Sequence, residues 1–208
     1  RGLAGFLALV LSLIYSRSLG IEKRSILTFI LVASLFTTTL LVSPISFSYR
    51  KLGLNSANRE RLHTSYLVLS SLLAIPVSFL TLIALFVYSH FTITVPFNLY
   101  VATFIYSFLS CVAFAAQDVL VATHKIRTSV VFDILVILIQ LFMYMFLTTY
   151  NRTSLIVSIL MSLSFSYFVI LFSIFSLAFN LFPKPTLDSI KYIACLLYTS
   201  PSPRDKRQ

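Results

Sequence analysis

The chain of 208 residues is 58% hydrophobic and only 11% charged, with a mean hydropathy of +0.94. Soluble domains are about 45–50% apolar and about 25% charged, so this composition excludes an ordinary soluble protein and predicts an integral membrane protein. The net charge of +10 comes from short basic clusters between apolar runs. That pattern is typical of cytoplasmic loops beside anionic lipid headgroups, and it argues against a nucleic-acid-binding face.

Six apolar runs follow one another along the chain, each separated from the next by a short polar or charged segment. A helix needs about 20 apolar residues to cross a bilayer. The first run is shorter and no Met precedes it, so we expect a fragment that begins inside its first helix. The predicted fold is an all-α membrane bundle of about six transmembrane helices, at residues 2–15, 25–47, 64–89, 96–116, 130–150 and 154–182.

The basic residues between the runs predict which ends face the cytoplasm. The segment between the second and third runs has four (Arg50, Lys51, Arg59 and Arg61), the next has none, and the two after that have two and one. Cytoplasmic loops hold the excess of Lys and Arg, so the second-to-third and fourth-to-fifth connections are predicted to lie inside. The segment 16–24 then lies outside despite three basic residues, either because the stronger loop after it overrules the bias or because Arg17 occupies a cavity.

The end of the chain differs from the rest. Residues 195–208 are rich in Ser, Pro and charged side chains and show no periodicity, a composition that predicts disorder. They also resemble a translated sequencing-adapter tail, so we expect native sequence to stop near Ala194. The predicted organisation is a transmembrane lobe at 1–193 and a disordered, non-native tail at 194–208.

The fifth run contains an acid near its start and an amide at its middle. At 100° per residue, Asp133, Gln140, Tyr144 and Thr148 fall on one stripe of the helix. Ionisable side chains are costly in lipid and usually mark a pathway, so this stripe is expected to face protein or a watery cavity. The alternative for Asp133 is an acid that is stabilised by the helix dipole close to the headgroups.

Two arginines at the ends of predicted helices admit two interpretations. Arg17 and Arg50 could extend to the lipid headgroups, as long basic side chains at helix ends do. Their planar guanidinium groups could instead bind a phosphate or pyrophosphate through paired hydrogen bonds. Ser and Thr residues also recur on single faces of most runs, but small side chains of this kind are more often explained by close helix packing.

Signals for catalysis are absent from the sequence. It has no His, Cys and acid cluster with metal-ligand spacing, no nucleophile elbow and no Gly-rich phosphate loop. Its two cysteines suggest neither a disulfide framework nor a metal site. We therefore expect a protein that is not an enzyme and that has no cofactor and no metal site.

Two segments resemble a known family of transporters. Tyr15-Ser16-Arg17-Ser18-Leu19-Gly20-Ile21-Glu22 resembles the "aRxLGpeeyG" segment that closes the first helix of polysaccharide (O-antigen type) flippases. The segment from Ala116 to Arg127 is similar to the family's "qgllqalgrfr" link into the fifth helix. Ile21 replaces the Pro of the first pattern, and Thr123-His124 stands where Gly is common in the second. The order of the runs and their short outer loops agree with the family over about residues 1–193.

The resemblance implies the N-terminal lobe of a two-lobed transporter of about 12 to 14 helices. Such flippases belong to the multidrug/oligosaccharidyl-lipid/polysaccharide exporter superfamily, in the bacterial cytoplasmic membrane. They move undecaprenyl-pyrophosphate-linked O-antigen or exopolysaccharide units across it by alternating access. The implied partners are the lipid-linked oligosaccharide, membrane lipids, an H+ or Na+ gradient and the glycan polymerisation machinery, with no nucleic acid.

On this resemblance, Arg17 and Arg50 are expected to meet the pyrophosphate. Gln140 is expected to line the sugar path, and Asp133 is expected to serve as the coupling or cavity acid. The alternatives are a drug or metabolite antiporter of the same superfamily, a membrane-embedded glycan-assembly enzyme, or a scaffold.

Overall fold

A computed structural model of the chain describes residues 2–53, 59–91, 95–122, 126–150 and 154–178. Nearly all of these residues are helical, and the described ranges contain no strand. The helices are α1 (Gly2–Gly53), α2 (Arg59–Phe91), α3 (Phe97–Ala122), α4 (Ile126–Tyr150) and α5 (Leu155–Ala178). Each is long and apolar enough to cross a membrane. The prediction of an all-α membrane bundle is therefore confirmed, and the predicted tail at 194–208 lies outside the described residues.

The first two predicted runs form two helices that meet at a kink, and α1 denotes both of them together. Its one non-helical residue is Gly20, with φ 71° and ψ 170°. This backbone region is essentially restricted to Gly, because a Cβ atom clashes with the neighbouring peptide groups. The predicted hinge at 16–24 thus contains a real break, but helix resumes directly after it. Both predicted helices are present, but they meet at Gly20 without the charged loop that was expected between them.

The helix α3 also extends further than predicted. The sequence places a loop at residues 117–129, whereas α3 continues to Ala122 and α4 starts at Ile126. The predicted loop is therefore wrong over most of its length, because the acid within it is paired inside the protein instead of meeting water. This correction brings Gln117 and Asp118 into the helix bundle.

The centre of the bundle is α3, which packs against all four other helices. Much of its buried surface consists of small side chains, which allow membrane helices to approach closely. These residues are Ala102, Thr103, Ser107, Cys111, Ala113, Ala115 and Ala116. Large apolar side chains such as Phe36, Phe86 and Phe142 remain exposed on the outside, as expected for a surface that faces lipid.

Polar contacts between helices define two ends of the bundle. At the Gly20 end, Ser25 of α1 lies 3.4 Å from the Tyr88 hydroxyl of α2, and Ser89 lies 2.8 Å from the Tyr100 hydroxyl of α3. At the Arg50 end, the last turns of α1 and α3 meet the start of α2. This arrangement agrees with the predicted order of membrane crossings, because Gly20 lies at the same end of the bundle as the last turn of α2 and the first turn of α3.

Candidate functional site

A buried carboxylate at the Arg50 end joins three helices. Asp118 of α3 is 4% exposed. Its Oδ1 accepts a hydrogen bond from the Arg50 guanidinium, and its Oδ2 accepts one from the Ser46 hydroxyl. The Tyr66 hydroxyl of α2 also donates to Oδ2, at 2.9 Å. We call Arg50, Asp118, Ser46 and Tyr66 the Asp118 cluster.

The helical spacing of α1 explains why two of its side chains reach the same carboxylate. Ser46 and Arg50 are four residues apart, so they lie on one face of the helix. That face is directed at α3, and Ser46 is fully enclosed there. A buried charge must be paired and hydrogen-bonded to be tolerated. Three donors from two helices satisfy that requirement for Asp118.

Two stacked tyrosines support the Asp118 cluster from the side of α1 and α2. The rings of Tyr49 and Tyr66 are nearly parallel, with centroids 4.1 Å apart, and both side chains are fully buried. The Tyr49 hydroxyl lies 2.5 Å from Nδ1 of His63, which is also buried. Aromatic packing of this kind restricts the Tyr66 ring, so its hydroxyl is held toward Asp118.

The two members of the ion pair differ in exposure, and this difference determines which of them a ligand can reach. The Arg50 side chain is 46% exposed, whereas that of Asp118 is 5% exposed. A guanidinium group has five N–H donors, and Asp118 does not use them all. An anion that approaches this end of the bundle can therefore reach the arginine without reaching the carboxylate.

A second polar cluster lies deeper, between α1 and α4. Gln140 is buried and donates a hydrogen bond from Nε2 to the Tyr15 hydroxyl at 2.9 Å. One turn further along α4, the Tyr144 hydroxyl donates to Ser18 at 2.9 Å. The rings of Tyr15 and Tyr144 also meet edge to face, with centroids 4.8 Å apart. The predicted polar stripe of this helix thus contacts the segment that precedes Gly20.

The acid of the same stripe contacts α3. Asp133 is half-buried, and its Oδ1 accepts a hydrogen bond from Nε2 of Gln117 at 2.8 Å. Gln117 in turn lines a polar cavity of about 140 Å³ between α1, α3 and α5. Its other polar lining residues are Ser34, Thr38, Tyr106, Ser110 and Tyr167. At about 30 Å³ of liquid volume per molecule, this space is large enough for a few waters.

The structure does not bring the four predicted site residues into one site. Arg17 is exposed and lies within one turn of Gly20. Thirty residues of α1 separate Gly20 from Arg50, which is about 45 Å of helix at 1.5 Å per residue. On α4, Asp133 contacts Gln117 near the Arg50 end, whereas Gln140 lies further toward the Gly20 end, where it contacts Tyr15. The functions that the resemblance implies for these four residues remain predictions, but a single pyrophosphate cannot contact both arginines.

The residue that the sequence interpretation missed is Asp118. The sequence predicts a loop at 117–129, which includes Asp118, because the predicted fourth span ends at Ala116. One signal was present: Asp118 lies 11 residues after Ser107, three helical turns along the same face of the predicted fourth helix. Its partner Arg50 is 68 positions away, and nothing local in the sequence indicates that pairing.

An apolar cavity lies apart from these polar groups, between α3, α4 and α5. Its volume is about 450 Å³, and it is lined mainly by aliphatic, aromatic and Met side chains. Within the described ranges, no group of three or more His, Cys, Asp or Glu residues is arranged to hold a metal ion.

These features define a multi-pass helical membrane protein with charged and amide groups inside the bundle. Comparison of the chain with protein-family models, with curated proteins and with solved structures gives no match.

Proposed function

We propose that this chain forms one lobe of a membrane transporter that translocates a lipid-linked oligosaccharide by alternating access. Two segments with the flippase-like pattern support the proposal. The first surrounds the break at Gly20, and the second includes Gln117 and Asp118. Both segments therefore coincide with places where the helices depart from simple apolar packing.

The observation on which the proposal mainly depends is the exposed guanidinium of Arg50 above a buried carboxylate. A solvent-exposed arginine at a helix end that only met headgroups would not need a buried acid to orient it. Asp118 instead fixes one side of the guanidinium and leaves the other accessible. This geometry suits the pyrophosphate of a polyprenyl-linked sugar, because arginine binds phosphate through paired, directional hydrogen bonds.

The other predicted residues have separate roles in this proposal. Arg17 serves the Gly20 end, where the pyrophosphate leaves, because it is too far from Arg50 for both to bind one ligand. Gln117 lines the polar cavity, whose hydroxyl groups suit water or sugar, and Asp133 accepts a hydrogen bond from Gln117. Gln140 is bound to Tyr15, so it becomes available to a sugar only when the segment before Gly20 moves.

The proposal is tested by binding of farnesyl pyrophosphate to the purified chain in phosphatidylcholine nanodiscs, with farnesol as the matched ligand without phosphate. We expect specific binding of the pyrophosphate, and a loss of at least about tenfold in Arg50→Gln, because one charge-assisted contact accounts for about 1.5–3 kcal/mol. The control is Arg24→Gln, an exposed arginine at the other end. Equal binding of both ligands, or an unchanged affinity in Arg50→Gln, contradicts the proposal.

A drug or metabolite antiporter is the second candidate, and the apolar cavity between α3, α4 and α5 favours it. Its volume of about 450 Å³ lies within the usual range for small-molecule sites, about 300–1,000 Å³. Binding of the apolar cation rhodamine 6G, reduced by Met161→Trp and unaffected by Arg50→Gln, would support this candidate over the flippase.

A further inference from the structure

The Asp118 carboxylate is a negative charge that lies where we propose that the negatively charged pyrophosphate binds. Asp118 already accepts a hydrogen bond from the Arg50 guanidinium. A ligand anion must therefore either share the arginine with the carboxylate or displace it. Like charges that are forced together repel strongly where water is scarce.

We propose that Asp118 is a built-in competitor for Arg50, so that binding of a pyrophosphate-bearing lipid releases the Arg50–Asp118 pair and loosens α1 from α3 at this end. The inference rests on the proposed function, since it takes Arg50 to be the anion-binding residue. It assigns Asp118 as a positioning residue that sets both the affinity for the ligand and the contact between the two helices.

The hydrogen bonds of Asp118 make displacement feasible. Its Oδ1 contacts Arg50, whereas its Oδ2 accepts from Ser46 and Tyr66. When Arg50 turns toward a ligand, the two hydroxyl donors remain and keep the buried carboxylate solvated. A carboxylate that depended on Arg50 alone would not release it, because an unpaired buried charge is very costly.

The different exposure of the two side chains determines which one moves when a ligand binds. Arg50 is half-exposed at the end of α1 and can turn outward, while Asp118 is enclosed and cannot follow. Tyr66 is held by stacking on Tyr49, so its hydroxyl stays beside the carboxylate. The pair therefore separates by movement of the arginine and of the last turn of α1.

Two substitutions are expected to change the affinity in opposite directions. In Asp118→Asn the competing charge is lost and the shape is kept, so farnesyl pyrophosphate should bind about tenfold more tightly, as expected when a close like charge is removed. In Tyr66→Phe the carboxylate loses a donor that stabilises the displaced state, so binding should weaken about fivefold, the equivalent of about one hydrogen bond. A purely structural role for Asp118 predicts no gain in affinity in Asp118→Asn.

The experiment uses the same nanodiscs, ligand and farnesol control as the test of function, with Glu22→Gln as the control for an exposed acid at the other end. Tighter binding in Asp118→Asn with weaker binding in Tyr66→Phe supports the competition. If Asp118→Asn does not fold, Tyr66→Phe decides alone, and an unchanged or increased affinity there overturns the inference. Binding that requires Arg50 but is unchanged or weakened in a folded Asp118→Asn also overturns it and leaves the proposed function intact. Absence of pyrophosphate-specific binding in the unmodified chain overturns both.

Discussion

Gln140 in the middle of α4 donates a hydrogen bond to the hydroxyl of Tyr15, which lies 125 positions earlier in α1. Both side chains are buried. Together with the hydrogen bond from Tyr144 to Ser18, this bond ties the helical segment before Gly20 to α4. It also explains how an amide can be accommodated at this depth in a predicted membrane helix, since its donor is satisfied by protein and not exposed to lipid.

Removal of this bond is expected to weaken the attachment of the first segment of α1. Gln140→Leu and Tyr15→Phe should each lower the free energy of unfolding by about 0.5–2 kcal/mol, the usual range for a hydrogen bond between membrane helices. Because both remove the same contact, the double variant should be less destabilised than the sum of the two single variants. Unfolding in sodium dodecyl sulfate measures the effect, with the exposed Thr39→Val as the control. Additive effects would show that the two side chains act independently.

Much of the fold follows from local patterns in the sequence. Apolar runs of sufficient length predicted the helices, and the polar stripe of α4 predicted side chains that contact neighbouring helices, as Gln140 and Tyr144 do. The charges of the segment 16–24 predict the hinge that contains Gly20. These features are visible locally because the bilayer restricts spanning structure to continuous apolar helices.

The candidate site was much harder to predict, for a physical reason. Asp118 looks like a loop residue until Arg50, Ser46 and Tyr66 are brought to it from two other helices. Pairing over such distances leaves no periodic trace in one sequence. The expected grouping of Arg17 with Arg50 depends on residue type and on the family resemblance, neither of which contains the distance between them along α1.

The break at Gly20 is expected to be intolerant of any side chain. A Cβ atom there would meet no neighbouring atom within 4 Å, so the penalty arises from the backbone conformation alone. Gly20→Ala should lower the free energy of unfolding by about 1–3 kcal/mol, the cost of a residue held in this region. Gly5→Ala is the matched control, because Gly5 has helical backbone and alanine favours helix there. Equal free energies of unfolding for the two variants would contradict the backbone conformation of Gly20.

The arrangement of helix ends predicts which positions are accessible from the same side of the membrane. Lys23 and His90 are exposed at the Gly20 end, whereas Thr128 is exposed at the start of α4. In a chain with Ser at both native cysteine positions, Lys23→Cys and His90→Cys should react with an impermeant maleimide from one side. Thr128→Cys should react only from the other.

A separate variant that keeps Cys111, with Ser only at position 195, is the control for this labelling, since Cys111 is fully buried and should stay unreactive until the chain unfolds. Labelling of Lys23→Cys and Thr128→Cys from a common side would contradict the arrangement.

Loss of Arg50 is expected to destabilise the bundle chiefly through the acid that it leaves behind. Removal of one partner of a fully buried ion pair costs about 3–5 kcal/mol. Since the Arg50 side chain is 46% exposed, we expect Arg50→Ala to cost less, about 1–3 kcal/mol, because solvent screens such pairs. The exposed Arg24→Ala should have little effect.

Neutralising the acid as well separates the two causes. If the penalty arises from an unpaired carboxylate among Ser46 and Tyr66, then Arg50→Ala with Asp118→Asn should be more stable than Arg50→Ala alone, because the amide can still accept from both hydroxyl groups. If the penalty arises from lost packing of the arginine stem, the second change should bring no recovery. Unfolding of the three variants in sodium dodecyl sulfate distinguishes these outcomes. Recovery would show that Asp118 remains charged inside the bundle, which is the condition for its competition with a ligand anion.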